Sequence, residues 1–122
     1  MVEYDQGGLS MKKITPKELS SRLATDTILL LDVRAAEKYQ SNPILHENIE
    51  NSNIPKVDIF NLEEKNITTE LPLPKDREIV VTCTTGNSAS KCVAILAEKG
   101  YQVTLLEGGV TAWESYKKNN PE

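Results

Sequence analysis

Cys83 stands where an apolar run ends and a short polar loop begins. The run is "EIVVT" (78–82), and the loop "CTTGNS" (83–88) contains small side chains and one glycine. Such a loop lets backbone N–H groups converge on one point as an anion-binding nest, and the start of a following helix adds partial positive charge. Both features favour the thiolate, which is the nucleophilic form of cysteine. The sequence therefore predicts a nucleophilic Cys83 that can take up a sulfane sulfur as a persulfide.

The other reading of Cys83 is a small buried hydrophobic side chain, because free cysteine is among the most buried residue types. The second cysteine, Cys92, follows the spacing of Ala89, Val93 and Leu96 on one helix face, which favours core packing over a resolving thiol. Two cysteines do not make a disulfide framework. With His46 as the only histidine, no metal site and no cofactor are expected.

The bulk composition indicates one globular domain. The chain has 122 residues, with 39% hydrophobic and 26% charged residues, and a formal net charge of -4. This charge makes nucleic acid and anionic membranes poor partners, and the longest apolar stretch is too short to cross a bilayer, so we expect a cytoplasmic protein. We expect a flexible leader over residues 1–11, a folded domain over 12–118 and a tail over 119–122.

Three buried strands and three helices are predicted by clear patterns. The strand candidates are "TILLLDV", "EIVVT" and "YQVTLLE". Thr15, Pro16 and Glu18 form a capping-box signature for a first helix, "SASKCVAILAEKG" is a second helix stopped by Gly100, and "VTAWESYKKN" is a third. Strands alternating with helices predict an α/β fold with a parallel sheet and helices on its faces.

The middle of the chain is weakly patterned. "AAEKYQS" and "VDIFNLEEK" are short helix candidates, whereas "NPILHENIENSNIP" is predicted to be a turn-rich connector with a solvated His46, and "LPLPKDR" a second connector. Near the end of the chain, Glu107, Gly108 and Gly109 are expected to form a tight turn, and Trp113 is expected in the core.

Three segments of the chain together resemble the single-domain rhodaneses, a sulfurtransferase family. "LLLDVRAAEKY" (29–39) is similar to the family's strand that ends in Asp-Val-Arg, and "VVTCTTGNSAS" resembles its active-site loop. "LLEGGVTAW" (105–113) resembles its closing Gly-Gly-x-x-Ala-Trp segment, and "NSNIP" (51–55) is a weaker trace of its Asn-Ile-Pro element. The order and spacing also match, so the resemblance extends over residues 13–118.

The resemblance implies a rhodanese-like fold in which Cys83 accepts sulfur and passes it on. The expected partners are a sulfane-sulfur donor and a thiol acceptor, which can be a protein. The substrate is expected to bind to the loop residues Thr84, Thr85, Gly86, Asn87 and Ser88. Asp32 and Arg34 lie at the end of the first buried strand, where they can support this loop or form an ion pair with Glu37 or a neighbouring loop.

The loop lacks the arginine that many rhodaneses carry five residues after the cysteine, since Ser88 occupies this place. The loop has no basic residue, and the nearest one that follows it along the chain is Lys91. Because a guanidinium would pair with the anionic end of thiosulfate, we expect a persulfide, a polysulfide or a protein persulfide as donor rather than thiosulfate. Related phosphatases need Cys-x5-Arg; here Ala89 stands in that position, which argues against phosphatase activity.

Two other functions stay open on the sequence alone. The first is a rhodanese-like module that has lost its chemistry and serves as a binding or regulatory domain. The second is a redox sensor that uses Cys83 and Cys92. The fold does not choose between these roles and sulfur transfer.

Overall fold

The computed structural model describes residues 11–64 and 71–120, so the expectations for the first ten residues and for the last two lie outside the described residues. No helix in these two ranges is long and apolar enough to cross a membrane. Strands and helices alternate along the chain. They are β1 (Lys13–Ile14), α1 (Pro16–Leu23), β2 (Ile28–Asp32), α2 (Ala36–Ser41), β3 (Ile49–Asn53), α3 (Lys56–Glu64), β4 (Glu78–Thr82), α4 (Asn87–Glu98), β5 (Gln102–Leu106) and α5 (Gly109–Asn119).

The five strands form one parallel sheet in the order β1-β5-β4-β2-β3. The parallel α/β architecture predicted from the sequence is therefore confirmed. In the register of β2 with β4, Asp32 lies beside Thr82, and in the register of β2 with β3, Asp32 lies beside Asn53. The segments that follow these three strands consequently start side by side at the carboxyl ends of the strands, which is where parallel α/β folds place their ligands.

Helices cover both faces of the sheet. On one face, Leu31 and Val81 belong to a core cluster that includes Ile59 of α3 and Leu96 of α4. On the other face, Leu30 and Val80 pack with α1 and α5 in a second cluster, to which the predicted core residue Trp113 belongs. Because successive strand residues point to opposite faces, continuous apolar runs are needed to fill both clusters.

The start predicted for α1 and the end predicted for α4 are both confirmed. Thr15 Oγ1 accepts the N–H of Glu18 at 3.1 Å, and Glu18 Oε1 accepts the N–H of Thr15 at 2.9 Å, which completes the capping box of α1. Gly100 follows α4 with φ of 96°, in the left-handed region that glycine adopts without strain.

The turn-rich connector predicted before Pro55 is wrong in part, because it contains β3 (Ile49–Asn53). Within the described part of the chain this strand pairs with β2 only, and its residues are half-buried or exposed, so an alternating or continuous apolar pattern is not required. The two-residue β1 at the opposite edge was also missed. His46 is exposed as expected and accepts the N–H of Asn48 on Nδ1 at 2.9 Å.

A polar contact ties α1 to the sheet. Arg22 Nη2 donates to Glu78 Oε1 at 2.6 Å, and the hydroxyl of Thr104 donates to Glu78 Oε2. Burial raises the pKa of Glu78, but the hydrogen bonds from Arg22 and Thr104 outweigh it, so the pKa of this carboxyl lies below its usual value. The carboxylate is therefore held in its charged form at neutral pH.

Candidate active site

Cys83 follows β4 directly, and its sulfur faces the N-terminus of α4. The side chain is buried, with 5% of the residue exposed. Sγ accepts the backbone N–H of Gly86 at 3.0 Å and that of Ala89 at 3.3 Å. Gly86 has φ of 101°, and this turn brings the loop back over the sulfur. Gly86 is also the N-cap residue of α4, and because it has no side chain, the helix has no side-chain cap of its own. The sulfur thus occupies the capping position of the helix, where N–H groups and the helix dipole stabilise negative charge.

The first turn of α5 binds the backbone of the same loop through two hydrogen bonds. The N–H of Val110 donates to the carbonyl of Cys83 at 2.8 Å, and the N–H of Thr111 donates to the carbonyl of Thr84 at 3.0 Å. Gly109 makes this approach possible, because a Cβ at this position would collide with the carbonyl oxygens of Cys83 and Thr84. The expected turn at residues 107–109 therefore also supports the loop.

Asp32 and Arg34 form a buried ion pair beside the Cys83 loop. Arg34 Nη2 donates to Asp32 Oδ2 at 2.7 Å and Nε to both carboxylate oxygens at 3.0 Å. Arg34 also donates from Nη1 to Asn42 Oδ1 at 2.7 Å. Of the two pairings expected for this segment, the one with Glu37 is not made, and the neighbouring loop contributes through Asn42. The pair fixes the chain after β2, adjacent to the loop after β4.

Asn53 is a supporting residue that sequence reasoning missed. Its Nδ2 donates to the carbonyls of Asp32 and Arg34, at 2.9 Å each, and so joins the end of β3 to the segment after β2. The signal that was available is the "NSNIP" element, whose third residue is Asn53. One amide side chain thereby binds both carbonyls, of which that of Asp32 also accepts the backbone N–H of Ile54 at 3.2 Å.

A cavity of about 350 Å³ opens over Cys83. Val33, Arg34 and Ala35 form one wall. Of the residues predicted to bind substrate, Gly86 is the one outside the lining, although its N–H is bonded to the sulfur. Asp32 does not line the cavity either, but it is bonded to Arg34, which does. The remaining lining residues are Lys38, Lys56, Cys83, Thr84, Thr85, Asn87 and Ser88.

Lys56 brings to the loop a cation that the loop sequence lacks. It is the first residue of α3, and its Nζ donates to Ser88 Oγ at 3.1 Å. Lys38 lines the same cavity from α2, whereas Lys91, the nearest basic residue after the loop along the chain, does not line it. The loop itself has no basic residue, as the sequence shows, but the fold brings one to Ser88 from another element, which the sequence analysis did not anticipate.

Cys92 lies in the core cluster on α4 and is fully buried. Burial is the largest cause that raises its pKa to about 12, the charge of Cys83 adds to the rise, and the charge of Lys56 opposes it. Cys92 is therefore a neutral thiol at physiological pH, and the prediction of a core residue is confirmed by its burial. A neutral buried thiol is a poor nucleophile and so a poor resolving cysteine.

The sequence and the fold were compared with known proteins. A family model described as "Rhodanese-like domain" matches residues 15–116. A sulfurtransferase of Allochromatium vinosum is 32% identical over 106 residues, which cover 84% of this chain and 88% of the relative. A rhodanese homolog of Thermus thermophilus, known from a crystal structure, is 28% identical with a TM-score of 0.62, over 84% of this chain and all of that one. The chain belongs to the rhodanese-like domain family.

Some relatives are much longer than this chain. A tRNA uridine(34) hydroxylase of Acinetobacter baumannii is 28% identical over 98 residues, which are 80% of this chain but only 30% of that protein. The chain therefore spans less than a third of this relative. The likeness covers the rhodanese-like part and carries no conclusion about the activity of the whole hydroxylase.

Proposed function

We propose that this protein is a sulfurtransferase or sulfane-sulfur carrier that accepts sulfur on Cys83 as a persulfide and passes it to a thiol or another nucleophile. The observation that carries the proposal is the pair of N–H groups, from Gly86 and Ala89, on Cys83 Sγ at the edge of the cavity. These donors favour an anionic sulfur, whether it is the thiolate before transfer or the terminal sulfur of the persulfide after it.

The reaction has two balanced steps. The Cys83 thiolate attacks the sulfane sulfur of the donor; a new S–S bond forms on Cys83, the S–S bond of the donor breaks, and its electron pair leaves with the donor fragment. An acceptor thiolate then attacks the outer sulfur of the persulfide and carries it away, which returns the Cys83 thiolate. No external oxidant or reductant is consumed.

We assign the supporting roles on the same basis. Thr84, Thr85, Asn87 and Ser88 line the cavity and would contact the donor, whereas Gly86 acts through its N–H. Asp32 and Arg34 would act as positioning residues for the wall of the cavity. We also propose that the reaction takes place in the cytoplasm, a reducing compartment in which free thiols such as these two cysteines persist.

Intact mass spectrometry tests the proposal. The full chain is incubated with polysulfide or thiosulfate, and the wild-type protein is expected to gain the mass of one sulfur atom. Cys83→Ser should gain none, while Cys92→Ala should gain as much as wild type. A wild-type protein that takes up no sulfur, or a Cys83→Ser variant that still does, contradicts the proposal and leaves a binding module without this chemistry as the better assignment.

A further inference from the structure

We propose that Lys56 recognises the anionic leaving group of the sulfur donor and takes the place of the arginine that the Cys83 loop lacks. Its Nζ is 3.1 Å from the hydroxyl of Ser88, the residue that stands at the position of that arginine. Lys56 and Cys83 also line the same cavity. This inference rests on the proposed sulfur transfer and adds to it a residue that determines which donors are used.

The fold fixes the point from which the Lys56 side chain extends. The backbone N–H of Lys56 donates to the carbonyl of Val33 at 2.9 Å, and the N–H of Ile54 donates to the carbonyl of Asp32 at 3.2 Å. Between them, Pro55 restricts φ. The start of α3 is thus tied to the segment after β2, which forms one wall of the cavity, and the side chain crosses from α3 to the first turn of α4.

The charges around the cavity are of one sign. Among the residues that the structure describes, its lining contains Arg34, Lys38 and Lys56 and no Asp or Glu. The guanidinium of Arg34 is already bonded to Asp32 and Asn42 and is buried, so its charge is largely balanced. The bonded partner of Lys56 is a neutral hydroxyl, which orients the ammonium without balancing its charge. Lys56 is therefore a positive charge at the loop that an anion can use.

The chemistry of the first step explains why this charge matters. When the Cys83 thiolate attacks thiosulfate, the S–S bond of thiosulfate breaks and its electron pair leaves on sulfite, a dianion. With methanethiosulfonate the same sulfane sulfur is transferred, but methanesulfinate leaves with a single negative charge. A cation at the leaving group lowers the energy of the transition state with thiosulfate more than that with methanethiosulfonate. The reason is that the Coulomb energy is proportional to the charge on the leaving group.

The test measures the rate of persulfide formation on the full chain by rapid quenching and intact mass, with thiosulfate and with methanethiosulfonate. Lys56→Gln should lower the second-order rate constant for thiosulfate about tenfold at low ionic strength and that for methanethiosulfonate only about threefold. Lys56→Arg should restore most of the rate with thiosulfate. Lys91→Gln is the matched control, because Lys91 is an exposed lysine on α4 outside the cavity lining, and its rates should equal those of wild type.

High salt supplies a second readout. Lys56 is exposed, so about 1 M KCl should screen its charge and reduce the difference between wild type and Lys56→Gln with thiosulfate. Equal slowing of both donors by Lys56→Gln, or a loss that Lys56→Arg does not restore, would show that Lys56 only joins α3 to Ser88 and would overturn the inference. The proposed function fails on a different result, namely a wild-type protein that takes up sulfur from neither donor.

Discussion

Gly109 lies directly against the carbonyl oxygen of Cys83. Its φ of 63° and its lack of a side chain let the first turn of α5 approach closely enough for Val110 to donate to that oxygen at 2.8 Å. The backbone of the candidate nucleophile is thus held by the last helix of the chain. Two elements far apart in sequence must both be folded before the loop has its final geometry.

Gly109→Ala should destabilise the fold and disturb the loop together. A Cβ at Gly109 adds strain at positive φ and a collision with two carbonyl oxygens, for a total of about 3 kcal/mol. Gly100→Ala is the matched control, because φ there is 96° but the nearest atoms to a new Cβ are side-chain atoms of Lys75 at 3.9 Å, so about 1 kcal/mol is expected. Urea unfolding measures both. Equal costs would contradict the role given to the Gly109 contact.

Asp32→Ala should be far more costly than the loss of an exposed carboxylate. It leaves the buried guanidinium of Arg34 without its ion-pair partner, which typically costs about 3 kcal/mol. Glu50→Ala removes one partner of the exposed pair with Arg77, at 3.3 Å, and should cost less than about 1 kcal/mol. The free energies of unfolding of the two variants provide the comparison. A Glu50→Ala cost as large as that of Asp32→Ala would contradict this account.

Stability should fall at alkaline pH because of Cys92. Burial raises its pKa from 9.0 to about 12, so the unfolded chain loses this proton first and the native state is disfavoured as pH rises above 9. The free energy of unfolding should then fall by at most about 1.4 kcal/mol per pH unit. The comparison is between Cys83→Ser and Cys83→Ser with Cys92→Ala, unfolded in urea from about pH 7 to about pH 10.5. Parallel pH profiles of the two would contradict the expectation.

Glu78 should contribute to stability at neutral pH and not in acid. Its pKa lies below the ordinary 4.5, so the contribution is present above that value and is lost as pH falls through the lower native pKa. Glu78→Gln should cost about 1 kcal/mol at neutral pH, and this difference from wild type should shrink below about pH 4. Glu50→Gln serves as an exposed control with little effect at any pH. An undiminished Glu78→Gln difference in acid would point to packing instead of charge.

The sequence predicts the centre of the sheet better than its edges, for a physical reason. The strands β2 and β4 and most of β5 are buried on both faces, so they appear as mainly apolar runs such as "ILLL" in β2 and "IVV" in β4. β3 is an edge strand with the sequence "IENSN", in which polar side chains remain half exposed, and nothing in its pattern distinguishes it from a loop. Only its pairing with β2 makes it a strand.

The candidate site likewise has one part that the sequence predicts and another that it does not. Cys83 and its loop are local in sequence, so the strand-loop-helix pattern was enough to find them. Lys56 precedes Ser88 by 32 residues, and the two meet because the ends of β3 and β4 both lie next to the end of β2. This proximity is a product of strand order, which depends on packing across the whole sheet and leaves no spacing signal in the chain.

The N–H groups on the Cys83 sulfur belong to the main chain, which has an evolutionary consequence. Every amino acid except proline carries this group, so point mutations at the exposed Thr84, Thr85 and Asn87 leave the donors in place. The two residues that carry the donors are restricted in type, Gly86 by its positive φ and Ala89 by its complete burial in the core. Descendants of this gene are thus free to change the mouth of the cavity, and with it the molecules they exchange sulfur with, while the reactivity of the cysteine is inherited unaltered.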